Sequence, residues 1–162
     1  MLVIIRGAGD IATGIGWRLK QCGFDVVMTE TQKPTCIRRT VAFSTALEQG
    51  SYTVEGISAT ACNNIEQVQQ ALANGHVAVL CDPSASCIAT LKPAVVIDSI
   101  LAKHNLGTKI TDAPLVIGVG PGFCAGKDCH YVIETQRGHY LGKVIEQGPA
   151  APNSGIPGNI MG

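Results

Sequence analysis

The strongest constraint on this chain lies in its first thirty residues, where the apolar run LVII stops at a glycine turn, GAG, and a second apolar run, FDVVM, follows some twenty residues later. An uninterrupted apolar run suits a strand buried on both faces, as in a parallel sheet. Between the two runs Ile11, Ile15 and Leu19 recur at four-residue spacing, which predicts a helix over residues 10–22 with an apolar stripe, ended by Gly23. The order is strand, tight turn, helix, strand.

The turn itself, Gly7, Ala8, Gly9, Asp10, Ile11, Ala12, fits GxGxxA. In that pattern the first glycine permits the turn, the second lets a pyrophosphate approach the backbone, and a small third residue keeps helix and strand close. Thr13 follows on the same helix head. Glu30 closes the second strand, 18 residues past Ala12, where a carboxylate can bind a ribose 2′-hydroxyl. The same order also fits a βαβ turn that is merely tight. Asp10 pulls both ways, because a carboxylate at a helix N-terminus can cap the helix and would repel a phosphate there. Gly14 and Gly16 each cost a helix about 1 kcal/mol against alanine, so close packing on that face is expected.

Further along, NNIEQVQQALANG predicts a helix capped by Asn63 with Glu66 three residues on, and closed by Gly75. Residues 43–49 suggest a short helix capped by Ser44 and closed by Gly50, and YTVEGISAT a strand interrupted at Gly56. VAVLC, AVVI and LVIGVG read as further strands, with a helix over residues 99–103 between the last two. Alternation of short apolar runs with helical segments implies a mostly parallel open α/β sheet with flanking helices. After Gly118 the texture turns glycine-rich and strand-like, and residues 148–162 form a Pro/Gly-rich tail, leaving one expected domain over residues 1–147.

Composition narrows the ligand. Twelve Lys plus Arg balance twelve Asp plus Glu, so no global field draws nucleic acid or anionic lipid. Charged residues make up 15%, against roughly 25% in ordinary soluble domains, while 46% are hydrophobic, which argues against disorder. No apolar run approaches the roughly 20 residues that span a bilayer, and no signal peptide is visible. Seven irregularly spaced cysteines then read as reduced thiols, and a cytoplasmic location is expected. Residues 1–39 carry six basic and three acidic side chains, whereas residues 40–91 carry four acidic ones and no Lys or Arg. Such crowding suits a small anionic ligand near the N-terminal turn better than a long polyanion.

Other candidates lie around that turn or at strand ends. Arg38 and Arg39 follow the second strand, and one guanidinium could clamp a phosphate or both could form a solvated pair; neighbours on an extended segment point oppositely. Asp82 and Asp98 each end an apolar strand, the edge at which open parallel sheets bind ligands, or cap a turn there. GVGPGFCAGKDCH holds a second glycine turn, with Gly120 and Gly122 opening a backbone nest and Lys127 able to meet an anion. Cys124, Cys129 and His130 supply three ligands at an unusual metal spacing, and no metal is expected. His139 lacks a nucleophile partner in a known arrangement.

The segments IIRGAGDIATGIGWRL, KPTCIRRTVAFS and APLVIGVGPGFCAGKDCHYVIETQRGHYLGKVI, in that order, resemble the accessory proteins of selenium-dependent molybdenum hydroxylase systems, the YqeB type. The resemblance runs from Leu2 to about Gly158. It implies a Rossmann-like domain and a part in maturing or supporting a molybdenum hydroxylase, akin to XdhC-type factors that handle molybdenum cofactor. The family's fingerprint falls on Gly7, Gly9 and Ala12, its basic pair on Arg38 and Arg39, and its late signature on Gly118, Gly120, Pro121, Gly122, Arg137, Gly138 and His139. Members continue beyond PNSGIPG, so a function housed there would be absent or sit on another polypeptide. No catalytic residue follows from the resemblance. The expected cofactor is NAD or a molybdopterin-type compound, the expected partner a hydroxylase or its maturation machinery, and a homo-oligomer is an open alternative. An NAD-dependent oxidoreductase is the competing reading; Glu30 disfavours NADP, since it would face a 2′-phosphate.

Overall fold

The computed structural model describes residues 1–152, and the body expected over residues 1–147 comprises two compact units, Met1–Ala94 and the chain from Val95 onward. The first is mixed α/β and mostly parallel, and all the helices of the described residues belong to it; the second is built of strands and loops, most of its main sheet parallel. Residues 153–162, most of the Pro/Gly-rich tail, lie outside the described residues.

In the first unit β1 (Leu2–Arg6), α1 (Asp10–Gln21) and β2 (Asp25–Glu30) form the expected βαβ element, with Ile4 beside Val27 in parallel register. Two short 3₁₀ turns (Arg39–Val41 and Phe43–Thr45) lead into α2 (Ala46–Gln49). A hairpin of β3 (Ser51–Val54) and β4 (Ile57–Cys62) follows, then α3 (Ile65–Ala73), β5 (Val77–Cys81) and α4 (Cys87–Leu91). The sheet runs β1-β2-β5-β4-β3, parallel except for β3 at its edge. Successive residues of β1, β2 and β5 are buried without alternation, as strands covered on both faces require. Arg6, which interrupts the apolar run in sequence, stays within β1 and is buried, donating to Pro83 O at 3.5 Å.

Several local readings shift. In α1 the residues facing the sheet are Ala12, Thr13 and Gly16, not the Ile11, Ile15, Leu19 stripe. A Cβ on Gly16 would stand 3.3 Å from Ile5 Cδ1 and 3.4 Å from Met28 Sδ, so the helix rides too close to the strands for larger side chains. The stripe turns outward and leaves Ile11 44% exposed. In α3 the cap is Asn64, whose Oδ1 accepts from Gln67 N–H at 2.9 Å, while Gln67 Oε1 accepts from Asn63 N–H. The capping pair therefore lies one residue beyond Asn63 and Glu66. Ser44 caps nothing, because the chain enters α2 through a 3₁₀ turn that buries it. The interruption at Gly56 is a two-residue hairpin: Glu55 and Gly56 both have positive φ (44° and 81°), the geometry that matches strand twist.

In the second unit β6 (Val95–Asp98), β7 (Leu115–Val119) and β9 (Tyr131–Ile133) lie parallel in that order, with β10 (Val144–Ile145) antiparallel to β9. A separate pair joins β8 (Cys124–Ala125) to β11 (Gly148–Pro149), where the Pro/Gly-rich tail begins. The helix expected over residues 99–103 does not form. Leu101 and Lys103 adopt left-handed conformations (φ 61° and 66°), and the Asp98 carboxylate gathers the loop by accepting from Ile100 N–H and Thr108 Oγ1.

Candidate functional site

The N-terminal glycine turn is the best-formed site in the first unit. Gly7 sits at φ 97°, which excludes a side chain there at low cost, and its amide donates to Thr29 O at 2.8 Å. Gly9 is different: its φ is −68° and a Cβ on it would meet only Cys36 Sγ, at 3.9 Å. A β-carbon would fit over Gly9 in ordinary contact with Cys36, without overlap. The first amides of any helix lack intrahelical acceptors, and those of Gly9, Asp10 and Ile11 find none among the described residues.

Glu30 reaches this turn. Its Oε2 accepts from Ala8 N–H at 3.0 Å and its Oε1 from Thr31 N–H at 2.7 Å, so the half-buried carboxylate is held over the turn with acceptor capacity to spare. Thr13 is fixed beneath, its hydroxyl donating to Ala8 O and accepting from Phe43 N–H. Ser44 N–H donates to the same Ala8 carbonyl at 2.9 Å, which ties the loop after β2 to the turn.

Asp10 does not cap α1; its Oδ2 pairs with Arg38 Nε. That pairing offsets the carboxylate's repulsion of an anion at the helix head. Arg39 turns away to Glu48, Nη1 to Oε2 at 2.9 Å. Each arginine thus has its own carboxylate, but not through strand alternation: the segment is not extended as expected, since Arg39 opens the 3₁₀ turn Arg39–Val41.

Asp82, in the same unit, organises the chain after β5. It accepts from Ser84 Oγ, Ser86 Oγ and Cys87 N–H, the last at 2.8 Å. Burial would raise its carboxyl, but the hydrogen bonds from Cys87, Ser86 and Ser84 outweigh burial and hold it below the ordinary carboxylate value. Burial pushes the neighbouring Cys87 thiol up to about 12, and the Asp82 charge adds to this.

The second unit holds the other candidates. Asp98 is 1% exposed and engaged in its loop. A Cβ on Gly118 would fall 2.5 Å from Phe123 Cγ, one on Gly120 2.9 Å from Thr135 Oγ1, and one on Gly122 2.7 Å from the His104 backbone. These glycines make room for neighbours. Lys127 is exposed on the turn between β8 and β9, its amide donating to Cys124 O. His130 Nδ1 accepts from Val116 N–H, and His139 is exposed.

Sequence reasoning missed Cys36, Ser44 and Glu134. Cys36 and Ser44 reach the turn through loop geometry that no periodicity encodes. Glu134 is buried and accepts from the amides of Thr135, Gln136 and Ala151; an acid directly after the run YVI was its one visible signal.

The fold and turn define an open, mostly parallel α/β protein with a glycine turn and a carboxylate at the ends of its first two strands. The chain is similar to the Escherichia coli (strain K12) protein named "Uncharacterized protein YqeB": 53% identical over 161 residues, covering 99% of this chain and 30% of that protein. It therefore spans less than a third of the relative's length. No protein-family profile matches the chain, and no solved structure does. Among the described residues no helix is long and apolar enough to cross a membrane.

Proposed function

We propose that this chain is an accessory or maturation component of a molybdenum hydroxylase system, and that it binds a nucleotide or molybdopterin-type phosphate ligand at the N-terminal glycine turn. The observation that carries the ligand reading is the Glu30 carboxylate held on the Ala8 amide. It stands where a ribose hydroxyl needs an acceptor, beside open helix amides that suit a phosphate. The hydroxylase assignment rests on the three-segment resemblance.

The test is titration calorimetry with NAD, NADP, ADP-ribose and molybdopterin, repeated on Gly9→Asp, whose carboxylate would enter the phosphate space. Binding lost in the variant is the expected result; absence of binding to every ligand by the folded protein refutes the reading. Preference for NAD over the others favours a second reading, an NAD-dependent oxidoreductase, since Glu30 suits a free 2′-hydroxyl. That reading requires a substrate-dependent change in reduced-nicotinamide absorbance across a metabolite panel.

A further inference from the structure

The parallel strands of the second unit are covered unequally on their two faces. Paired residues of neighbouring strands point to the same side of a sheet, and successive residues alternate. Val96, Val116 and Val132 therefore share one face with Asp98 and Gly118, and all five are buried, with Phe123 filling the place that Gly118 leaves. The opposite face carries Ile97, Ile117, Val119, Tyr131, Ile133 and Val144. Its cover thins toward β10: Ile97 and Val119 are buried, Ile117 and Ile133 are half-buried, and Tyr131 and Val144 are 38% and 53% exposed. Parallel strands occur with both faces covered, and helices are what cover them. Among the described residues the second unit has no helix.

The size of this face selects its occupant. Its strands rise about 16 Å at most and lie about 19 Å across, so the whole face offers roughly 300 Å². Two copies of a chain that associate stably bury about 800 Å² each, more than this face supplies. A helix about 10 Å wide spans its exposed half, and a helix tethered to the same polypeptide needs far less area than a free partner, because linkage raises its effective concentration. The Escherichia coli relative matches this chain over only 30% of its own length, so most of that protein lies outside the matched region. We propose that the exposed half of the face seats an amphipathic helix, the counterpart of a segment that the relative carries outside that region. Its apolar side lies on Tyr131, Ile133 and Val144. The inference is independent of the ligand reading, since it uses no residue of the N-terminal turn.

The experiment places benzoylphenylalanine in the full-length relative at the position aligned with Tyr131 and reads the photocrosslinks by peptide mass spectrometry. A crosslink to the apolar side of a helical segment outside the matched region is expected. Crosslinks confined to the matched region, crosslinks between two copies of the protein, or none at all overturn the inference. A second measurement compares the two proteins by thermal melting. Val144→Lys should leave the melting temperature of this chain unchanged, because the side chain already stands in water. Lysine at the aligned position of the full-length relative should lower its melting temperature by about 3 °C, since there the charge would be trapped under the helix. An equal effect in both proteins also overturns the inference.

Discussion

Two glycine turns follow parallel strands in this chain, after β1 and after β7, and they are glycine-rich for opposite reasons. At the first, Gly7 needs its positive φ but Gly9 does not, and a β-carbon on Gly9 would overlap nothing, near the turn whose Ala8 amide holds the Glu30 carboxylate. At the second, the absent side chains at positions 118, 120 and 122 are replaced by Phe123, Thr135 and the His104 backbone. One turn would accept a side chain at its second glycine and the other gives its room to the protein. Glycine after a strand therefore identifies a close approach, and only the neighbour reveals whether a ligand or a side chain makes it.

Substitutions can break this contrast. The largest effect is expected from Gly122→Ala, which combines φ 111° with a 2.7 Å approach to rigid backbone, and should cost about 4 kcal/mol in denaturant unfolding. Gly118→Ala should cost less, about 2 kcal/mol, because the obstacle is the Phe123 ring, and Phe123→Leu in the same chain should recover part of the loss.

Asp82→Ala should cost about 2 kcal/mol at pH 7 by orphaning the donors of Ser84, Ser86 and Cys87. Its carboxyl is held below the ordinary value when folded, so this stability is present above the unfolded carboxylate pKa of about 3.9 and is lost as pH falls through the lower folded value. Wild type and variant should converge in strong acid. Gly9→Ala should be smallest, within about 0.5 kcal/mol of wild type, because φ is −68° and the nearest atom is 3.9 Å away. A loss at Gly9 as large as at Gly122 would erase the distinction between the turns.

The contrast also explains what could be read in advance. Strands β1, β2, β5, β6 and β7 were legible because strands buried on both faces are written as unbroken apolar runs. The packed face of α1 was not, since Ala12, Thr13 and Gly16 carry little hydrophobic signal and the visible stripe of Ile11, Ile15 and Leu19 points outward. The loop over residues 99–103 was hidden because its left-handed residues, Leu101 and Lys103, are not glycines. At the site, Gly7, Gly9 and Glu30 were legible from spacing. The Asp10–Arg38 pair, Cys36 and Ser44 depend on how the loop after β2 folds back, which local pattern does not encode.

Calorimetric titration of ADP-ribose and molybdopterin into wild type, Gly9→Asp and Lys127→Ala tests the central claim most directly. The account predicts that at least one compound binds wild type and Lys127→Ala with equal affinity, and that Gly9→Asp weakens it by more than about tenfold. Binding that survives Gly9→Asp but fails in Lys127→Ala would place the ligand at the second turn and contradict it.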